Sequence, residues 1–293
     1  MMKPRILFLP DKPGWIYETR ALILSKILGD KYDFDIKYMC DLKKFDHNLY
    51  DIVFLFYWRH LDKLDFVPKR KIISNVASFK SFWGVPDDER KNLLNRASYL
   101  LPICNGLFDM VKDLHPNVFV APNGTDINVY KPTWKRPSDK LIVGWAGSLK
   151  HDYLKGATEF VKPATKKANV ELKLVTNLPR EEMVDFYNSI DVYICASFTE
   201  GAPNTALEAG ACGKAIISTE VGIIGDFIKH KYSGYIVDRD LDSFVDAIKF
   251  CDNNRDLVQL FGRRIREETE NNWSWETRSK IYDETFQRVL SDG

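Results

Sequence analysis

An excess of charge of one sign is what this chain most plainly lacks. Its 42 Lys and Arg face 41 Asp and Glu, leaving a formal net charge of +1, which excludes a general polyanion binder. Cysteine is scarce: Cys40, Cys104, Cys195, Cys212 and Cys251, with no Cys-x-x-Cys pair among them. The odd count, and the apolar settings of Cys40, Cys104 and Cys195, lead us to expect reduced, buried thiols in a cytoplasmic protein, not a disulfide framework or a paired-cysteine metal site. Long apolar runs are missing as well. Nothing approaches the ~18 residues of a membrane span, and the N-terminal run at residues 6–10 is too short for the apolar region of a signal peptide. Without secretion, the Asn123-Gly-Thr125 and Asn272-Trp-Ser274 triplets carry no glycosylation meaning.

What is present is the material of a globular chain. Hydrophobic residues make up 45% and aromatic ones 13%, which excludes disorder and suffices to fill two cores. A length of 293 residues predicts two domains of ~100–200 residues, or one large one. The even charge conceals an asymmetry. Residues 1–140 hold 23 Lys/Arg against 17 Asp/Glu, and residues 141–293 hold 19 against 24, as two lobes with different partners would.

Short apolar runs alternate with amphipathic stretches. Strands are expected over residues 5–9, 34–39, 52–57, 71–77 and 99–104, and helices over 15–28, 88–97 and 106–114. Between 122 and 140 the alternation stops at Pro122, Pro132, Pro137 and the Asn123-Gly124 turn. It resumes with strands at 141–146, 171–176, 191–196, 215–218 and 235–237. The helices expected there are 153–167, 181–188, 204–211, 241–251, 255–270 and 275–289. Apolar strands alternating with helices mean βαβ units and parallel sheets covered on both faces. The expectation is an α/β chain of two doubly wound, Rossmann-like domains with a cleft between them, residues 1–122 and 141–275, joined by a linker at 123–140. Ligands of such sheets bind beyond the carboxyl ends of the strands.

The most informative segment is residues 195–213, Cys-Ala-Ser-Phe-Thr-Glu200-Gly-Ala-Pro-Asn-Thr-Ala-Leu-Glu208-Ala-Gly-Ala-Cys-Gly213. A strand ends at Ala196, a loop follows, and a helix begins near Pro203, whose missing N–H would be unpaired in a first turn anyway. The N–H groups of Gly201, Ala202, Asn204 and Thr205 are then free at a helix N-terminus, which is an anion site. Gly201 and Ala202 are small enough for a phosphate to come close. Glu200 lies in the loop. Glu208 lies one turn past Asn204 on the same helix face, where a carboxylate can accept both hydroxyls of a ribose. A solvated helix start, with Glu200 favouring the dipole, would carry the same residues.

These residues, in the context S-x-x-E-G-x-P-x-x-x-L-E-A-x-A-x-G, resemble the Glu-x7-Glu signature of family 4 glycosyltransferases. Four further segments resemble that family in the same order: Pro122-Asn-Gly-Thr-Asp126 with Tyr130-Lys-Pro132, Val143-Gly-Trp-Ala-Gly147-Ser148 with Lys155-Gly156, Tyr187-Asn-Ser-Ile-Asp-Val192, and Ser274-Trp275-Glu276. The resemblance covers residues 118–290 by motif and residues 1–117 by architecture alone. It implies the GT-B fold, with a C-terminal helix (276–293) crossing back to an acceptor-side first domain. It implies a retaining hexosyltransferase that moves a sugar from a nucleotide-diphosphate sugar, UDP- or GDP-linked, to an acceptor hydroxyl without metal or other cofactor.

Site roles follow from the resemblance. Glu200 and Lys155 are the catalytic residues, Lys155 neutralising the diphosphate as a point charge. Gly147 lets the backbone approach the diphosphate, near Ser148, Lys150 and His151. Glu208 holds the ribose. Glu200 and the backbone of Gly201, Ala202 and Pro203, the proline without an N–H, hold the donor sugar's hydroxyls, and Asn204 and Thr205 also bind the donor. Thr176, Asn177 and Leu178 meet the base, and the departing phosphate oxygen itself takes the acceptor proton. Two departures stand out: Ser148 replaces the family's Arg, and residues 72–78 lack its first-domain His.

On the acceptor side, Gly14, Trp15 and Ser78 are the cleft candidates. A basic, aromatic-rich stretch (Arg59, His60, Lys63, Lys69, Arg70, Lys71 and Lys80 among Tyr57, Trp58, Phe79, Phe82 and Trp83) would meet an anionic acceptor, lipid headgroups or nucleic acid, or is a solvated face over core aromatics. Asp238-Arg-Asp240-Leu-Asp242 matches the Asp-x-Asp metal pattern twice, but reads better as a helix N-cap. Two rival functions stay open: a catalytically degenerate sugar-nucleotide-binding module, and an epimerase or phosphorylase on the same fold. Peripheral membrane contact also stays open.

Overall fold

The computed structural model describes residues 2–134 and 139–291; Pro137 and the last two residues of the expected C-terminal helix lie outside them. The chain divides into two compact units, Met1–Pro122 with Trp275–Gly293, and Asn123–Ser274.

The first unit is a parallel sheet of β1 (Arg5–Leu9), β2 (Asp33–Ile36), β3 (Ile52–Leu55), β4 (Ile72–Val76) and β5 (Tyr99–Pro102), in the order β2-β1-β3-β4-β5. β3, β4 and β5 are buried at every residue, as a sheet covered on both faces requires. Helix α1 (Ile16–Leu28) buries Ala21, Leu24 and Leu28 at helical spacing. α2 (Asp87–Leu94) and α3 (Asn105–Val111) follow. The C-terminal helix, Trp275–Ser291, buries Trp275, Tyr282, Phe286 and Val289 along one stripe in this unit's core. There Phe286 meets Phe54 and Tyr32 edge-on, at 6.1 and 5.5 Å. The same helix, with Asn75 of β4, partners polar groups on and after α1. Arg20, 1% exposed, donates to Asn75 (3.0 Å) and to the Tyr282 hydroxyl (2.9 Å), and the Tyr32 hydroxyl donates to Asp283 (2.7 Å).

The second unit is a parallel sheet of β6 (Ile142–Ala146), β7 (Glu171–Val175), β8 (Val192–Cys195), β9 (Ala215–Ser218) and β10 (Gly234–Ile236), in the order β10-β9-β8-β6-β7. Its helices are α4 (Asp152–Lys155), α5 (Lys162–Lys167), α6 (Met183–Asn188), α7 (Asn204–Ala211), α8 (Ile224–Phe227), α9 (Leu241–Asn253) and α10 (Arg255–Asn272). In each sheet the strand order reverses beside the first strand, between β1 and β3 and between β6 and β8, which is where α/β sheets open a crevice for ligands.

Some expectations need correction. The single helix expected at 153–167 is broken. Gly156, at φ +69°, ends α4, and a π-helical turn over Ala157–Val161 leads into α5, where Pro163 supplies no N–H. The strand expected at 34–39 stops at Ile36, and Met39–Asp41 form a 3-10 turn. Residues 123–134 pack within the second unit instead of running free as a linker. The Thr125 N–H donates to the Trp273 carbonyl (2.8 Å), and Arg266 donates to the Tyr130 carbonyl (2.7 Å). Cys40 is exposed, while the other four cysteines are free and buried. Among the described residues no helix is long and apolar enough to cross a membrane.

Candidate functional site

The loops that leave β6 and β8 bring two expected residues together. Lys155, at the end of α4, donates from its ammonium to Glu200 Oε1. The Ser197 hydroxyl donates to the same oxygen at 2.9 Å. Burial works against the Lys155 charge, but the Glu200 carboxylate more than offsets it, and the amine is held above its ordinary value.

The loop that carries Glu200 is pinned from several sides. Phe198 N–H donates to the Leu154 carbonyl in the Lys155 turn (2.7 Å). Thr219, just past β9, donates its hydroxyl to the Ser197 carbonyl (2.6 Å). Gly222 lies against the loop's backbone, and a Cβ there would stand 2.1 Å from the Gly201 carbonyl oxygen and 2.6 Å from that of Glu200. Arg239 donates to the carbonyls of Ala196 and Tyr153, both at 3.1 Å, with its guanidinium 4.6 Å from the Phe160 ring centroid. Sequence reasoning missed Gly222 and Arg239. The one signal was Arg239's place inside Asp238-Arg-Asp240. There Asp240 caps α9, accepting from Ser243 N–H (2.8 Å) and Oγ (2.7 Å).

Helix α7 begins at Asn204, with Pro203 at the N-cap instead of the first helical turn. The N–H groups of Gly201, Ala202, Asn204 and Thr205 have no protein acceptor among the described residues. They are the donors that a helix start leaves for an anion. Asn123 donates to the Asn204 side chain at 3.0 Å, which ties the Pro-Asn-Gly segment to this helix end. Glu208 accepts from the Tyr187 hydroxyl at 2.7 Å. Burial raises its pKa above the ordinary carboxylate value, against the lowering by Tyr187 and the Arg180 charge. Burial and Glu208 push the Tyr187 phenol well up. Tyr130, edge-on to Tyr187 with ring centroids 6.0 Å apart, completes an aromatic wall, and no sequence signal marked it for this. Asn188 and Asp191 of the same motif do scaffold work. Asn188 accepts from Thr133 N–H (2.9 Å), and Asp191 accepts from Ile142 N–H and Arg255, both at 2.9 Å.

The remaining candidates fall as follows. Gly147 follows β6, and a Cβ there would stand 2.7 Å from the Trp145 ring, so the indole alone demands glycine. Ser148, Lys150 and His151 are exposed, Ser148 preceding the 3-10 turn Leu149–His151. Thr176 and Asn177 stand exposed past β7, with Leu178 half-buried. In the first unit, Gly14 N–H donates to Glu18 (2.6 Å), and Trp15 is 50% exposed beneath the Lys12 ammonium, 4.0 Å from its ring centroid. Ser78 is half-buried, and its carbonyl accepts from the Ser81 hydroxyl (2.5 Å). The basic stretch separates. Arg59, His60, Lys63 and Lys80 line one cavity, Lys69 and Arg70 line another, and Lys71 donates to the carbonyls of His47 and Tyr50. Among the described residues no three His, Cys, Asp or Glu side chains gather as a cation site.

Comparison with known proteins adds to this geometry. Residues 140–268, which include Lys155, Glu200 and Glu208, match the family model described as "Glycosyl transferases group 1". The D-inositol 3-phosphate glycosyltransferase of Paenarthrobacter aurescens (strain TC1) is 25% identical over 59% of this chain and 52% of its own. The chain thus spans about half the length of the curated relatives it matches. Sucrose-phosphate synthase from Thermosynechococcus elongatus superposes with a TM-score of 0.76 at 11% identity, covering 99% of this chain and 100% of that one. HepE of Anabaena, solved in complex with UDP and glucose, superposes with a TM-score of 0.71 at 15% identity, covering 97% and 100%. The two parallel five-stranded sheets are those of the GT-B fold.

Proposed function

We propose that this chain is a retaining hexosyltransferase that takes a sugar from a nucleotide-diphosphate sugar and delivers it to an acceptor hydroxyl without a metal ion. The observation that carries the reading is the convergence of Lys155, Glu200 and the unpartnered N–H groups before and in the first turn of α7 at the carboxyl ends of β6 and β8. Negative charge builds on the diphosphate as the glycosidic C–O bond breaks. The Lys155 ammonium and the α7 donors are already in place to receive it, and a preorganised donor of this type is worth ~2.7–4 kcal/mol in the transition state. Lysine and the helix end then do the neutralising that a divalent cation does elsewhere. Tyr187 holds Oε2 of Glu208, leaving Oε1 for the ribose hydroxyls. Ser197 and Lys155 hold Oε1 of Glu200, leaving Oε2 for a hydroxyl of the donor sugar. The departing phosphate oxygen takes the acceptor proton, so transfer stays on one face. The glycosyltransferase names of the relatives support the reaction class, and the UDP bound to HepE supports a uridine donor. The free thiols fit a cytoplasmic setting.

The test is nucleotide release from a panel of UDP-, GDP- and ADP-sugars with candidate acceptors, beside thermal shifts with the free diphosphates. The expected result is turnover with one base and a loss of at least about tenfold in Lys155→Ala and in Glu200→Gln, each folded. Nucleotide binding without turnover against any acceptor, or unchanged turnover in both variants, refutes the reading.

A further inference from the structure

We propose that the first unit carries a ligand site of its own at the amino ends of β4 and β5, and that it takes a phosphate monoester with an apolar body. The cavity there measures about 350 Å³, within the range of small-molecule sites. Every residue that lines it belongs to the first unit, so it stands apart from the donor loops and from the transfer reading. Parallel sheets of this kind bind their usual ligands past the carboxyl ends of the strands, and this cavity lies at the opposite edge. Lys69 and Arg70 come from the 3-10 turn that leads into β4, and Ser98 and Tyr99 from the entry to β5. Past α3 the chain returns alongside β5, where Leu100 N–H donates to the Asn117 carbonyl (2.9 Å) and Phe119 N–H to the Leu100 carbonyl (3.0 Å). The last turn of the C-terminal helix supplies the remaining wall with Val289.

Three features define the ligand. The first is charge. Among the described residues no acidic side chain lines the cavity, and neither Lys69 nor Arg70 has a carboxylate within ion-pair distance. The second is that the neutral polar groups are already paired. The Ser98 hydroxyl donates to the Ile72 carbonyl (2.8 Å), and the Asn117 side-chain amide donates to the Ser98 carbonyl (3.1 Å). His115 accepts at Nδ1 from Asn117 N–H and donates from Nε2 to the Ala97 carbonyl, both at 3.1 Å. Burial holds that imidazole below its ordinary pKa, so it adds no further charge. Two cations on a fixed frame are left to meet a ligand. A carboxylate balances one of them, whereas the dianion of a phosphate monoester balances both. The third feature is an apolar wall. Tyr99 and Val289 are 7% and 5% exposed, Pro116 lies beside them, and Tyr99 stacks on Phe119 at 5.9 Å. A bare anion would leave this wall wet, and an apolar body covers it. Because Val289 rides on the helix that completes the first unit, a ligand seated against it favours the docked helix by mass action.

The probes are phenyl phosphate, inorganic phosphate and phenol, titrated calorimetrically into the full chain with and without UDP. Phenyl phosphate is expected to bind equally well in both conditions, inorganic phosphate at least about tenfold more weakly, and phenol not at all. Lys69→Gln/Arg70→Gln, at two exposed positions, should weaken phenyl phosphate by at least about tenfold with the melting temperature unchanged. Lys37→Gln/Lys43→Gln removes the same charge elsewhere on the first unit and should leave binding as it is. Bound phenyl phosphate should also slow amide exchange at Val289 in wild type and not in the Lys69→Gln/Arg70→Gln variant. A further arm separates the two sources of such an ester. Co-sedimentation with vesicles of phosphatidic acid in phosphatidylcholine, lost in that variant, identifies the ester as a lipid's. Solute binding without co-sedimentation identifies it as soluble. No phenyl phosphate binding by wild type, equal binding by wild type and the Lys69→Gln/Arg70→Gln variant, an equal loss in Lys37→Gln/Lys43→Gln, displacement by UDP, or vesicle binding that survives the replacement overturns the proposal. Failure of UDP itself to bind counts against the transfer reading and leaves the phenyl phosphate titration standing.

Discussion

A methyl group placed at Gly222 tests how closely the Glu200 loop must be held. The added Cβ would stand 2.1 Å from the Gly201 carbonyl oxygen and 2.6 Å from that of Glu200, where ordinary contact begins at 3.4 Å. The loop must therefore retreat by about 1 Å to regain normal packing. Glu200 and the Gly201 and Ala202 N–H groups move with it, and a displacement of ~1 Å at a reacting centre costs on the order of a hundredfold in rate. The residue also sits at φ +56°, and alanine in the left-handed region costs ~1–2 kcal/mol, or ~2–4 °C of melting temperature per kcal/mol in a domain of this size. The two effects can be separated. Gly14 has φ +76° with nothing within 4 Å of its would-be Cβ, so Gly14→Ala carries the same strain without a collision and serves as the melting-temperature control. Steady-state nucleotide release with saturating donor should show Gly222→Ala losing about a hundredfold in kcat, with a melting temperature only somewhat below that of Gly14→Ala. Turnover within about twofold of wild type alongside the strain-sized drop in stability would refute the idea that this glycine clamps the loop.

Glu208 offers a trade between stability and binding. Its folded pKa is raised above the ordinary 4.5 by burial, so its contribution to stability is fully present below 4.5 and is lost as pH rises through the folded value. Glu208→Gln should therefore melt higher than wild type near neutral pH, match it in acid where both side chains are neutral, and bind the nucleotide more weakly; a lower melting temperature near neutral pH would contradict this. Arg239→Leu removes two bonds to loop carbonyls, each worth ~1.5–3 kcal/mol as charged hydrogen bonds. Amide exchange should accelerate at Phe198 and Gly156, and unchanged protection there would show that the guanidinium is not what joins the two turns.

Legibility of this chain in its sequence tracks the range of the interactions involved. β1, β9 and α7 have the boundaries that local pattern implies, because apolar runs, Pro203 and the small residues after it act within a few positions. α8 went unread because a single turn, Ile224–Phe227, has no periodicity to detect. The expected helix at 153–167 ignored two local signals that were available, Gly156 and Pro163. In the site, Glu200 and Glu208 share one strand–loop–helix segment and could be placed from spacing. Gly222, Arg239 and Tyr130 could not, since each acts on a backbone or an aromatic ring far away in the chain that only tertiary folding brings near. The basic stretch between 59 and 80 looked uniform, and only the turns around β4 sort Lys63 and Lys80 from Lys69 and Lys71.

The first unit is assembled from two segments that flank the second, and that has a consequence for its birth on the ribosome. Residues up to Pro122 emerge first, but Tyr282, which takes a nitrogen of Arg20, and Phe286, which covers Phe54, are translated only after the whole of Asn123–Ser274. Meanwhile Arg20 sits in an apolar wall short of one acceptor, and the sheet's aromatic face stays wet. Asn123–Ser274 is contiguous and can finish folding in the interval. Maturation of the first unit thus closes on a docking event, and a chain cut ahead of Tyr282 would leave that unit greasy and sticky for chaperones to hold.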